Sequence, residues 1–226
     1  MGLIHSLRHL FRVRHVHVGD PAPRQKPGTP TSTPTSTPST TPSTPAGRAH
    51  VGESGFDQPM RVNVASAEGY TAAESQKLQQ ATALLSRVLG SAEFRQRVLD
   101  YSRRAGPGFA DNDGLQNAQV LEKLLAASED FASDPDGEVD LHLEIRDLGW
   151  FQRHTVGYTY PNKPLITQNR RFFAQSSAAE VAGNLAHEWV HKLGFGHDKR
   201  ATAQRPDSVP YAVGRIVEEL ARKLEG

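Results

Sequence analysis

Apolar and polar residues change period several times along the chain, and each change marks an element. From Met60 to Ala65 they alternate, the two-residue period of a strand. The period then lengthens: Leu78, Ala81, Leu84, Leu85 and Val88 recur at three- and four-residue spacing, one face of a helix. Thr71-Ala72-Ala73-Glu74 opens that helix as a capping box, and it ends near Gly90. Ser91 starts a short helix through Phe94, Val98 and Leu99, and Gly106-Pro107-Gly108 reads as a loop. Asp113 is the expected cap of a third helix carrying Val120, Leu121, Leu124 and Leu125. Alternation returns twice: Val139, Leu141, Leu143 and Ile145 against Asp140, His142, Glu144 and Arg146, then Val156, Tyr158 and Tyr160 against Thr155, Gly157 and Thr159. Pro161 to Pro164 turns the chain into a further strand from Leu165 to Gln168.

A second capping box, Ser177 to Glu180, opens a helix with Ala178, Val181, Ala182, Leu185, Ala186, Trp189 and Leu193 on one side. Glu180, Asn184, His187, Glu188 and His191 fall on the other, so the expectation is an apolar stripe packed inward and a polar face on a cleft. A last helix, with Ser208 at its cap, carries Val213, Ile216, Val217, Leu220 and Leu224. The order predicts an α+β fold, a mixed sheet backed by helices with the penultimate helix beneath it.

The chain before residue 58 has a different character. Pro21 to Gly47 is dominated by Pro, Thr and Ser and offers almost nothing to bury, so residues 21–57 are expected to be a disordered linker. In residues 1–20, Leu3, Ile4, Leu7, Leu10 and Phe11 form a helical stripe beside Arg8 and Arg12, and Gly2 and Ser6 fit an N-myristoylation pattern. This basic amphipathic segment suits peripheral contact with a membrane surface. Residues 58–226 are left as the folded domain. Arg8, Arg12 and Arg14 interrupt any secretory signal, and no apolar run approaches the ~18 residues of a membrane span. The expectation is a cytoplasmic protein or one exported without a leader. A net charge of +1 favours no class of partner, and Arg170-Arg171 and Lys199-Arg200 are pairs without a nucleic-acid module around them. A monomer without a nucleic-acid partner is expected. The absence of cysteine excludes disulfides and thiolate metal sites. Asp111-Asn112-Asp113-Gly114 and Asp134-Pro135-Asp136-Gly137 lack the distal glutamate of a calcium loop and read as turns.

The chemistry is concentrated in His187-Glu188-Trp189-Val190-His191-Lys192-Leu193-Gly194-Phe195-Gly196-His197, which reads H-E-x-x-H-x-x-G-x-x-H. At 100° per residue His187 and His191 sit about 40° apart and one turn from each other, so both imidazoles reach one ion. Glu188 flanks the same side, within reach of a water held there. Gly194 tolerates the left-handed conformation that ends a helix, which lets His197 return to the metal. Asp198, next in the chain, is either a support for a ligand imidazole or a ligand in place of His197.

This segment resembles the zinc-binding signature of the metzincin metallopeptidases. The strict likeness covers residues 187–197, with a looser agreement of strand order over residues 58–186. The resemblance implies a twisted mixed sheet over an active-site helix, and a Zn2+ ion held by His187, His191 and His197. Glu188 would be the general base that activates zinc-bound water for attack on a peptide bond of a protein or peptide substrate. In that clan an antiparallel edge strand pairs with the substrate, and Thr155 to Tyr160 is the best match. The family also carries a methionine in a turn below the metal, whereas Met1 and Met60 are the methionines here, both upstream. Asp207 to Tyr211 stands in that place, with Pro210 at the methionine position. Tyr211 is then either a hydrogen-bond donor to the oxyanion or a tyrosine packed beside the helix start. The alternative to an active zinc endopeptidase is a degenerate, zinc-stabilised interaction module that binds without cutting. A hydrolase of non-peptide amides would use the same site.

Overall fold

The computed structural model describes residues 60–127, 129, 136–150, 155–160 and 163–226. The amphipathic segment, the linker, Asp134-Pro135 and Pro161-Asn162 lie outside the described residues. Six strands and six α-helices are described: β1 (Arg61–Glu68), α1 (Ala72–Gly90), α2 (Ala92–Leu99), β2 (Ser102–Arg103), β3 (Gly106–Pro107), α3 (Asn117–Ala126), β4 (Glu138–Arg146), β5 (Gly157–Thr159), β6 (Leu165–Asn169), α4 (Arg170–Gln175), α5 (Ala178–Lys192) and α6 (Val209–Glu225). No described helix is long and apolar enough to cross a membrane.

The fold is α+β with a mixed four-stranded sheet in the order β1-β4-β6-β5. β1 runs parallel to β4, and β4 to β6; β5 pairs antiparallel with β6 and forms an edge. The parallel β1–β4 pair needs a long crossover, which α1 to α3 supply. Val139, Leu141, Leu143 and Ile145 are buried, and with Leu85, Leu89, Trp189, Val213 and Val217 they form one core. The opposite face of β4 carries cross-strand polar pairs: Arg61 with Glu138, Asn63 with Asp140 at 2.8 Å, and Ser66 with His142 at 3.4 Å. His142 is therefore half-buried and paired, not simply solvated.

Both capping boxes form as expected, at Thr71 and at Ser177. Several expectations are corrected. Gly106-Pro107 is not loop but a strand of a small hairpin with Ser102-Arg103. The third helix starts at Asn117 with Gln116 at its N-cap, in a Gln116–Gln119 box; Asp113 sits earlier, in a turn with φ of 54°. The sequence from Asp111 to Gly114 is indeed that turn, in which Gly114 N–H donates to Asn112 Oδ1. Helix α4 was not anticipated; Asn169 caps it, and Lys77 Nζ donates to its last carbonyls at Phe173 and Ala174. Ser208 occupies the N-cap of α6, but its hydroxyl donates backwards to the Arg205 carbonyl.

Helix α5 is enclosed on every side: each residue from Ala178 to Lys192 except Glu180 is buried, so the cleft expected on its polar side is closely covered. The helix lies between β5, α1 and α6, so the side carrying the histidines meets protein as well. A helix buried all round is a core helix, and its polar residues must find their partners inside.

Candidate metal centre

His187 and His191 project from the last turns of α5. Their Nε2 atoms lie 3.3 Å apart and the rings meet edge to face, with centroids 4.9 Å apart. After His191 the helix ends: Leu193 N–H and Gly194 N–H donate to the carbonyls of Val190 and His191, and Gly194 takes φ of 86°. A side chain there would be strained, so the reversal belongs to glycine. Phe195 then drops into the core at 1% exposure, with Lys123 Nζ 4.8 Å from its ring centre. This anchor fixes the Phe195 carbonyl, which lies 2.7 Å from His191 Nδ1. With the proton on Nδ1 bonded there, Nε2 presents its lone pair to the site.

His197 returns the chain to the same point. Its ring centroid is 4.9 Å from that of His191 and 5.5 Å from that of His187. Donor atoms of all three histidines lie within 4.8 Å of one another, so the group can hold a metal ion. Two of the three are buried and His197 is half-buried. Asp198 contributes its backbone carbonyl, 3.1 Å from His197 Nδ1, while its carboxylate accepts from Thr202 Oγ1 at 2.9 Å. His197, not the Asp198 carboxylate, joins His187 and His191 in the group that could hold an ion.

Glu188 is 1% exposed. Its Oε1 lies 3.6 Å from where a Cβ at Gly157 would stand, and Asn184 Oδ1 lies 3.3 Å from that same point. The backbone of β5 therefore passes close to the carboxylate, and a Cβ at Gly157 would be crowded by the Thr167 carbonyl at 3.0 Å and by Asn184 Oδ1 at 3.3 Å. Of the two alternating sets, Thr155, Gly157 and Thr159 are the buried one, with Gly157 against Asn184 and Glu188 of α5, while Tyr158 is half-buried and Tyr160 exposed. Asn184, one turn before Glu188, is also buried, and its amide lines a cavity of about 20 Å³ with Val156, Gln168 and Glu180.

Tyr211 belongs to the site. Its ring centroid is 4.5 Å from that of His187 and 4.9 Å from that of His197. The guanidinium of Arg205, itself buried, stacks 5.1 Å over the tyrosine's face. Helix α6 supplies the floor: a Cβ at Gly214 would stand 3.1 Å from His187 Cβ and 2.8 Å from the Gly183 carbonyl.

Sequence reasoning singled out His187, Glu188, His191, His197 and Tyr211; the structure gathers the rings of His187, His191, His197 and Tyr211, and buries Glu188 beneath β5 at the position next to His187 in α5. It missed Gly157, Arg205, Gly214 and Lys192. Lys192 is the one with a legible signal, a lysine directly after a ligand on a helix that has to be enclosed. It is fully buried, and burial pushes its ammonium down to about 8 while the Glu188 carboxylate pulls the other way. No protein-family model matches the chain, and no curated protein sequence matches it.

Proposed function

We propose that the protein is a zinc-dependent endopeptidase of the metzincin type. The carrying observation is the convergence of three imidazoles from H-E-x-x-H-x-x-G-x-x-H, with the Glu188 carboxylate held under an edge strand.

The donor set fits zinc. Two nitrogens bound tetrahedrally at about 2.0–2.1 Å stand about 3.3–3.4 Å apart. His187 and His191 already hold Nε2 atoms at 3.3 Å. An all-imidazole set with no thiolate suits a borderline cation, and three protein ligands leave a position open. Bound there, zinc would supply Lewis acidity toward a water and toward the scissile carbonyl. The chain's own groups do the rest. Glu188 takes a proton from the attacking water and delivers it to the leaving amine. Tyr211, whose ring lies against His187 and His197 and under Arg205, would donate toward the oxyanion in this reading.

The substrate would lie along β5. Asn169 N–H donates to the Val156 carbonyl at 2.9 Å, so that pair is hydrogen-bonded, as is Tyr158 with Thr167 two residues on. Gly157 and Thr159 then turn their N–H and C=O to the open edge, where an extended peptide can pair.

The test is metal analysis with proteome-wide cleavage profiling of wild type and Glu188→Ala. About one zinc per chain in both proteins is expected, with cleavage lost in the variant alone. Equal cleavage patterns would sink the peptidase reading and leave the zinc-stabilised interaction module.

A further inference from the structure

Lys192 has no part in the chemistry above, yet it is among the most enclosed side chains of the protein, at 0% exposure. It stands at the C-terminal end of α5, where a lysine ordinarily turns its amine to its own helix's last carbonyls or to water. This one crosses to the sheet. Its Nζ donates to the carbonyls of Tyr160 at 3.0 Å, of Leu165 at 3.3 Å and of Lys163. The β5–β6 ladder ends with the pair Thr159–Ile166, so Tyr160 and Leu165 are the next facing residues, where the strands part. An ammonium has three protons, and here three carbonyls around the end of the ladder take them.

We propose that Lys192 is a positioning residue, an internal clamp that holds the substrate-pairing strand β5 at a set height over the histidines and Glu188. The proposal rests on the peptidase reading of the site. The geometry supports it because one side chain joins the two bodies that must stay in register. Its backbone adjoins the ligand His191 on α5, and its amine grips the chain directly after β5. Stability alone does not single out this residue. A buried ammonium carries a desolvation cost that an apolar side chain of similar length would not, and that cost is offset by the bonds to the three carbonyls. Losing those bonds costs some stability, so the role is read from where the loss falls. What an apolar side chain cannot do is fix the distance and direction of three carbonyls.

The experiment compares zinc-loaded wild type, Lys192→Met and Lys192→Arg by amide hydrogen exchange, zinc content and steady-state kinetics on a peptide found by the cleavage profiling. In Lys192→Met, amides of Gly157–Thr159 and Leu165–Asn169 are expected to exchange at least tenfold faster, with α5 protection and zinc content unchanged. KM should rise about tenfold with kcat within twofold. Lys192→Arg keeps the charge but spreads its donors over a plane, so its KM should fall between the two. Unchanged exchange in β5 and β6 overturns the clamp. Faster exchange with an unchanged KM makes Lys192 a strut and overturns its positioning role. A wild type that cleaves nothing sinks the peptidase reading instead, since the exchange measurement reads the clamp without turnover. Should Lys192→Met fail to fold, Lys192→Arg is judged by the same two criteria.

Discussion

Replacing Gly214 by alanine separates helix propensity from packing at the metal. Gly214 lies within α6, and alanine in place of glycine inside a helix is favourable by about 1 kcal/mol. The structure opposes that gain. The added Cβ would stand 2.8 Å from the Gly183 carbonyl oxygen and 3.1 Å from His187 Cβ. Ordinary carbon contacts lie at about 3.5–4.0 Å, so α6 must back away from α5 by roughly 0.5 Å. Neither neighbour is a flexible tip: one is helix backbone and the other is the root of the His187 side chain. Overpacking of this kind costs about 1–3 kcal/mol, which leaves a net loss of up to about 2 kcal/mol. For a chain of this size that lowers Tm by a few degrees, about 2–4 °C per kcal/mol.

The informative control is Gly183→Ala. Its Cβ would meet Glu218 Cβ at 2.8 Å and the Gly214 carbonyl at 2.8 Å, with Glu218 Cα next at 3.4 Å, so its tightest contacts are with α6 and not with His187. Both variants should lose stability in chelator-treated samples, measured by thermal or urea denaturation. Only Gly214→Ala should also lose zinc affinity, by about tenfold or more in a competitive chelator titration, a loss of the size seen when support behind a ligand is removed. A Tm raised in Gly214→Ala, or equal affinity losses in the two variants, would refute the reasoning.

Three other outcomes follow from the same contacts. Gly157→Ala places a Cβ 3.0 Å from the Thr167 carbonyl and 3.6 Å from Glu188 Oε1, so peptide cleavage should fall at least tenfold in kinetic assays with zinc content unchanged. Removing the metal with a chelator should lower Tm, because an ion present at 100 times its dissociation constant stabilises the folded state by about 2.7 kcal/mol; His197→Ala should abolish that increment. Arg222→Met leaves buried Glu218 without the guanidinium that donates to it at 2.7 Å, while desolvation already raises that carboxyl's pKa. The native state then holds the Glu218 proton to higher pH than the unfolded state, so stability falls as pH rises through that interval. The variant's deficit, about 1–3 kcal/mol at pH 7, should shrink toward pH 5 in urea titrations.

The parts of the fold that were legible are those fixed by local chemistry. Thr71 and Ser177 cap their helices with partners three residues away, so the signal and its cause lie in one short window. The histidine motif is equally local, since helix geometry places His187, Glu188 and His191 and one glycine turns the chain back for His197. What was not legible depends on distant chain. Gln116 displaces Asp113 as a cap because Asp113 is engaged in a positive-φ turn, and a propensity ranking cannot see that. Which face of β5 is buried depends on the packing of Gly157 against α5, which no alternation pattern contains. The polar stripe of α5 predicts a face on a cleft, and the pattern cannot say how closely that cleft is covered. Here it turns inward because its partners, the rings from His197 and Tyr211 and the backbone of β5, arrive from elsewhere.

The same inward stripe bears on the methionine that the resemblance led one to expect under the metal. A side chain in that place would give the ligand rings an apolar floor. In this chain the space beneath His187 is already closed by α6, whose Gly214 backbone approaches the ligand's Cβ and whose Tyr211 ring covers His187 and His197. Pro210, at the expected methionine position, is buried at the start of that helix, where its fixed φ suits the first turn. A floor built from a helix is held by what holds the helix. Toward one end of the α5–α6 pair the glycine contact sets the height of the rings; toward the other, Arg222 bridges Glu180 and Glu218 at 2.8 and 2.7 Å. A perturbation at the charged end should therefore cost stability and spare metal affinity, whereas one at the glycine end should cost both. That asymmetry is what a methionine turn, acting through a single side chain, would not produce.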